Sequence, residues 1–234
     1  MKKLAQILFA LLLVVGINNA FAATEDRHIT GFNAISVSGS FDVYITQGST
    51  ESVKVEAPDN VISHIITEVV GGELKVYNKD DRGWNGWFGS NHRKMVIYIA
   101  AKDLNSVALG GSGDMYFKNG IRANDLKVRV SGSGSITGMV DCKELEAGVS
   151  GSGDMKLNGH ALTSNVRVSG SGGYAAHDLS TNKTAVHVLG SGNASVNVNE
   201  SLEASVSGSG DIRYTGAVKN VNSSKSGSGS ISRG

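Results

Sequence analysis

The residue types best placed to do chemistry stand just after a recurring Gly-Ser-Gly tripeptide: Asp114, Ser135, Asp154, Gly173, Asn193, Asp211 and Ser230. Paired carboxylates hydrolyse glycosidic bonds when they lie roughly 5–9.5 Å apart across the scissile bond. With one repeat per rung, Asp114 and Asp154 stand two rungs apart, about 10 Å, and Asp211 about 14 Å further on. That is too sparse for an acid–base dyad. With two repeats per superhelical turn, Asp114 and Asp154 would instead stack and form a weak cation site. Gly110-Gly111-Ser112-Gly113-Asp114 is similar to glycine–aspartate calcium turns, but those repeat every nine residues. An aspartate after glycine more often bonds its own backbone in a turn. The six histidines are scattered, with no HExxH or His-x-His spacing. No Ser/His/Asp or Cys/His arrangement, phosphate loop or cofactor fingerprint occurs. The expectation is no catalytic residue, no metal and no cofactor.

A second group is aromatic. Trp84, Trp87 and Phe88 sit in Asp80-Asp81-Arg82-Gly83-Trp84-Asn85-Gly86-Trp87-Phe88-Gly89, a glycine-rich stretch that holds both tryptophans of the protein. Aromatic loop residues are a common contact for sugars or protein partners. The alternative is that they cover one end of the fold or a self-association surface.

The elements that position these residues follow from the repeat. Gly-Ser-Gly begins at Gly111, Gly132, Gly151, Gly170, Gly190, Gly208 and Gly227, at intervals of 21, 19, 19, 20, 18 and 19 residues. Its second glycines are Gly113, Gly134, Gly153, Gly172, Gly192, Gly210 and Gly229. Four residues before the first glycine, two before it and four after it, all 18 positions of the first six copies are apolar or aromatic, as in Val128, Val130 and Ile136. Apolar residues two apart mark a strand with one buried face, and the glycines turn the chain. A unit of about 19 residues cannot bury its own apolar face, so neighbours must stack into a β-solenoid. In the seventh copy the two positions before the turn are Ser223 and Lys225, which blunt an exposed edge. Residues 220–234 therefore read as a capping repeat.

The first half is β-rich with larger apolar residues. Val37-Ser38-Gly39-Ser40-Phe41-Asp42-Val43 reads as one repeat whose second glycine has become Phe41. Strands are expected at 52–57, 73–78 and 94–100. A short helix is expected after Pro58, capped by Asp59 or Asn60, with Val61, Ile62, Ile65 and Ile66 on one face.

Met1-Lys2-Lys3, an apolar run from Leu4 to Ile17 and Ala20-Phe21-Ala22 have the form of a secretory signal peptide cleaved after Ala22. No cysteine follows that run, so no lipid attachment is expected there. The division is then 1–22 signal peptide, 23–109 N-terminal β-rich half and 110–234 repeat solenoid. Removing Lys2 and Lys3 leaves 22 − 2 = 20 basic against 21 acidic residues. That balance sets nucleic-acid binding aside. Cys142 is the only cysteine, so no intramolecular disulfide forms. The 31 glycines and 30 serines are punctuation and not low complexity, because 22 of the glycines lie from Gly110 onward and 14 of them belong to the seven turns.

From Phe32-Asn33-Ala34-Ile35-Ser36-Val37-Ser38-Gly39-Ser40-Phe41 to the serial Val-Ser-Gly-Ser-Gly-Asp turns, about residues 30–232, the chain resembles the bacterial head GIN domain family of autotransporter-type adhesins. The resemblance implies a right-handed, single-stranded β-helix of the pectin-lyase type, with Gly-Ser-Gly at tight turns between sheets. It also implies adhesion or cell-surface interaction, a role without an established biochemical activity. The expected protein is an exported, non-catalytic binding module of the periplasm or cell surface, with no transmembrane segment in its mature chain. Its partner is a cell-surface glycan or an envelope protein. A polysaccharide-active β-helix enzyme and a self-associating structural protein, a homo-oligomer, are the rival readings.

Overall fold

A computed structural model describes residues 22–79 and 94–234. The proposed signal peptide, apart from Ala22, and the aromatic trio Trp84, Trp87 and Phe88 lie outside the described residues.

The repeat region forms five long strands, each running from one Gly-Ser-Gly to the next: β9 (Asp114–Gly132), β10 (Ser135–Gly151), β11 (Asp154–Gly170), β12 (Gly173–Gly190) and β13 (Asn193–Gly208). They pair in parallel, with Ser135 opposite Asp114 and Asp154 and with Gly132, Gly151 and Gly170 opposite one another. One repeat is therefore one rung of a β-solenoid. All 18 apolar positions read from the sequence are buried, none more than 3% exposed. Each of the six copies thus contributes these three inward side chains among others, and burying a Val- or Ile-sized one is worth about 1.5–3 kcal/mol. The uneven repeat lengths are absorbed where the chain bends in mid-rung. The first interval of 21 residues places its two extra residues in β9 between Phe117 and Ile121, opposite the single Met139 of β10.

The two glycines of the turn serve different needs. From Gly111 to Gly227 the first glycine has φ between 102° and 131°, which side chains rarely tolerate. The second has ordinary φ, but a Cβ there would run into the rung before it: at Gly153 it would lie 2.7 Å from Val130 Cγ1 and collide with the Gly134 carbonyl. That carbonyl crowding comes only from the preceding rung. It explains Phe41, whose turn in the chain has no earlier Gly-Ser-Gly beneath it; the ring fills the core completely buried.

The N-terminal half stacks out of sequence order. β2 (Ala34–Gly39), the Gly39-Ser40-Phe41 turn and β3 (Asp42–Gln47) form a rung beneath β8 (Ser106–Gly111) and the start of β9. On the other side of that rung lie β6 (Glu73–Asn78) and β7 (Val96–Ala101), parallel to β2 and β3. Outermost, β4 (Ser52–Pro58) and β5 (Ile65–Val70) run antiparallel to β7 and β6, and β1 (Ala22–Asp26) pairs antiparallel with β4. The last rung is split into β14 (Asp211–Thr215) and β15 (Asn220–Ser226), followed by β16 (Ser230–Arg233). Ser223 and Lys225 sit opposite Ala204 and Val206, and every residue of β15 is exposed.

The helix expectation needs correction. Only Asp59–Ile62 (α1) is helical, it follows Pro58, and no side chain caps it. Ile65 and Ile66 belong to β5, opposite Asn78 and Tyr77. One turn cannot repay the cost of nucleating a helix, whereas the β-branched isoleucines gain a strand partner in β6.

Candidate ligand-binding face

The strand alternation sends the third, fifth and seventh residues after each first glycine outward and the fourth inward. On the sheet that follows the turns, the fifth-residue positions form one unbroken row across the rungs. In spatial order it reads Lys54, Tyr98, Tyr44, Tyr116, Thr137, Lys156, Ala175, Ser195 and Arg213, on β4, β7, β3, β9, β10, β11, β12, β13 and β14.

Three tyrosines stack in this row. The Tyr44 ring lies 5.5 Å from Tyr98 at 22° and 5.4 Å from Tyr116 at 19°. Offset stacking of this kind adds about 0.5–1.5 kcal/mol per pair beyond area burial. Lys54 Nζ sits 5.5 Å over the Tyr98 ring and Lys118 Nζ 4.9 Å over Tyr44. The phenols point at carboxylates: Tyr98 donates to Glu56 at 3.3 Å and Tyr116 to Asp114 at 3.5 Å. Partial desolvation and those carboxylates hold both phenols above the ordinary tyrosine range, so they remain donors. Tyr98 is nonetheless 39% exposed, the only exposed large aromatic among the described residues. Lys94 and Asp42 pair at 3.1 Å beside the ladder, and Asp42 raises the Lys94 ammonium.

Two shallow concavities lie on this face. One of about 480 Å³ is lined by Tyr44, Tyr98, Thr46, Ser52 and Lys118. The other, about 570 Å³, runs along β10 to β14 over Gly173, Ala175, Asn193 and Ser195, with Lys156 and Arg213 on its walls.

The carboxylates singled out from the sequence share this face but do not converge. Asp114 and Asp154 are separated by Ser135, and Gly173 and Asn193 stand between Asp154 and the Asp211 rung. At the strand spacing this gives about 10 Å and 14 Å. One repeat per rung rules out the stacked Asp114–Asp154 arrangement. Asp211 is instead a rung-to-rung brace: its carboxylate accepts from Ser230 N–H at 2.9 Å and Ser230 Oγ–H at 2.7 Å, which hold its carboxyl below the usual aspartate range. Among the described residues no group of three or more His, Cys, Asp or Glu is placed to hold a metal ion.

The tyrosine ladder went unread in the sequence. Tyr44 and Tyr116 each stand five residues after a turn's first glycine, Gly39 and Gly111, so aligning the repeats on that outward column finds them. Tyr98 has no Gly-Ser-Gly before it and is invisible to that alignment. Elsewhere, on the sheet before the turns, Glu146 bridges Lys127 at 2.9 Å and Arg129 at 2.6 Å, and these cations lower its carboxyl. Among the described residues no helix is long and apolar enough to cross a membrane.

Known proteins share this architecture. A "putative adhesin" from Bacteroides fragilis is 28% identical, with TM-score 0.84 over 90% of this chain and 96% of that one. A "putative lipid binding protein" from Parabacteroides distasonis is 25% identical, with TM-score 0.72 over 92% and 98%. A "putative adhesin" from Parabacteroides merdae, at 20% identity and TM-score 0.70 over 92% and 97%, shares the fold. No curated protein matches the chain. The family model described as "Putative auto-transporter adhesin, head GIN domain" matches residues 31–218, most of the chain, and the protein belongs to that family.

Proposed function

We propose that this protein is an exported, non-catalytic binding module with an adhesin role, acting in the periplasm or at the cell surface. The observation that carries this reading is the register. One repeat per rung holds Asp114, Asp154 and Asp211 two and three rungs apart, and Asp42, on the rung next to Asp114, is tied to Lys94 at 3.1 Å, so the face offers a periodic array of contacts in which the adjacent carboxylate is held in an ion pair. A rigid solenoid presents such an array without reorganisation on binding, which lowers the entropic cost of association. Family membership and the 28%-identical relative named as an adhesin support the same reading. Export rests on the signal-peptide form of residues 1–22, with cleavage after Ala22 and no lipid attachment. Trp84, Trp87 and Phe88 supply a second contact surface for a glycan or envelope-protein partner.

The test couples adhesion to chemistry. Purified residues 23–234 are presented on beads to bacterial and host cells, and the same preparation is incubated with polysaccharides and assayed for new reducing ends. Adhesion with no depolymerisation is expected. Depolymerisation that Asp114→Ala or Asp154→Ala abolishes would overturn the reading in favour of an enzyme. Adhesion unchanged in Trp84→Ala/Trp87→Ala would remove those residues from the contact. Because one relative is named for lipid binding, phosphatidylcholine vesicles serve as a further arm, and capture by vesicles with no adhesion to cells would overturn the adhesin role.

A further inference from the structure

We propose that the tyrosine ladder and the groove in line with it form one binding track for an uncharged linear polysaccharide lying along the solenoid axis. The inference rests on the reading of the protein as a binding module and names its ligand class and site. From β7 to β14 the track crosses seven strand spacings, about 34 Å. At one end the stacked rings of Tyr98, Tyr44 and Tyr116 offer flat apolar surface. Further along the same row the side chains shrink to Ala175 and Ser195 and open the groove, which Lys156 and Arg213 flank. Outward positions repeat at each rung, so a ligand with a repeating unit meets one side-chain position per rung as it runs along the axis.

The charges select the class of polymer. From β4 to β14 five cations (Lys54, Lys94, Lys118, Lys156 and Arg213) and five acids (Asp42, Glu56, Asp114, Asp154 and Asp211) line the face, a balance of 5 − 5 = 0, and Asp26 of β1, opposite Lys54, adds one acid at the end of the row. A charged polymer therefore gains no net attraction. A protein partner needs an apolar, charge-depleted centre that can be desolvated, and three rings among ten charges do not supply one. A neutral glycan suits both features: its C–H faces lie on aromatic surface, and its hydroxyls donate to the carboxylates and accept from the ammonium and guanidinium groups without stripping the site of water.

The experiment is affinity electrophoresis of residues 23–234 in gels containing β-glucan, xylan, mannan or glycol chitin, with polygalacturonate and alginate as acidic controls. Retardation by at least one neutral polymer is expected, with hexasaccharides of that polymer competing better than disaccharides. Tyr44→Ala and Tyr98→Ala should each weaken binding about tenfold, the scale of a central aromatic contact. Tyr98→Phe, which keeps the ring, should stay within about threefold of the parent. Circular dichroism melting confirms that each variant is folded. Retardation only by the acidic polymers, or binding unchanged in the two alanine variants, overturns the proposal. Failure with every neutral polymer while cell adhesion persists overturns this ligand class and leaves the binding module standing. Failure of both overturns the binding module itself.

Discussion

Gly151 and Gly148 lie three residues apart on β10 and give opposite outcomes when replaced by alanine. Gly151 has φ 109°, and a Cβ there would lie 2.5 Å from the carbonyl oxygen of Gly132 in the rung before it. A non-glycine residue in this conformation costs about 1–3 kcal/mol in backbone strain alone. The clash adds to it, because the Gly132 carbonyl accepts hydrogen bonds from Ser152 N and Gly153 N, both at 2.9 Å. Pushing that oxygen away lengthens two bonds of about 1 kcal/mol each. Gly151→Ala should therefore destabilise by about 3–5 kcal/mol, which in a domain of this size lowers Tm by about 10 °C. Gly148 has no positive φ, and the nearest atom to its added Cβ is Arg129 Cγ at 3.6 Å, an ordinary contact. Gly148→Ala should be neutral or raise stability by about 0.4–1 kcal/mol through a stiffer unfolded chain. Calorimetric melting of both variants beside the parent decides the matter. Equal losses at the two positions would refute the steric account of the turns, as would a tolerated Gly151→Ala.

Further outcomes follow from other parts of the fold. Phe41→Ala removes a completely buried ring from the core and should cost about 3–5 kcal/mol, read as a lowered denaturant midpoint with unchanged slope. Asp211 has its carboxyl depressed by Ser230, so its bracing is present above the ordinary aspartate pKa, about 3.9, and is lost as pH falls through the lower folded value. The protection of the Ser230 amide, its exchange rate relative to the intrinsic rate at the same pH, should fall in acid, and Asp211→Ala should give that lower protection already at neutral pH. Cys142 is buried and its thiol is pushed up to about 11, chiefly by burial, so Ellman's reagent at pH 8 should label it only as fast as the protein unfolds. Calcium at millimolar concentration should leave Tm unchanged, because Asp114 and Asp154 do not meet; a rise abolished by Asp154→Asn would restore a cation site.

The repeat region was legible because each of its constraints is local. Apolar residues at Val128, Val130 and Ile136 and glycines at the turn state an inward face and a bend within ten residues, and the structure places all of them as read. The register was not, since the spacing fits one or two repeats per turn, and only the pairing of Ser135 with both Asp114 and Asp154 decides for one. The N-terminal half was less legible than the repeats. Its strands at 52–57, 73–78 and 94–100 were readable from alternation, but their spatial order is set by which apolar faces meet in three dimensions. Nothing within the stretch 73–78 says that it stacks beneath β2, or that β4 and β5 run antiparallel outside it. The helix misreading has the same origin: Val61, Ile62, Ile65 and Ile66 fit a helical face, yet the pairing of β5 with β6 won over a propensity too weak to sustain more than one turn. The acids after the turns drew attention because their type suggests chemistry, and the register separates them. The tyrosines escaped because two belong to an outward column and Tyr98 joins them only through the out-of-order insertion of β7.

The most direct test of the account incubates residues 23–234 with an insoluble neutral polysaccharide and measures, in one tube, the protein retained on the solid and the reducing ends released into solution. The account predicts retention that Tyr44→Ala/Tyr98→Ala abolishes, with no reducing ends above the protein-free control. Reducing ends that increase with time and with protein concentration would contradict it and make the face a site of reaction.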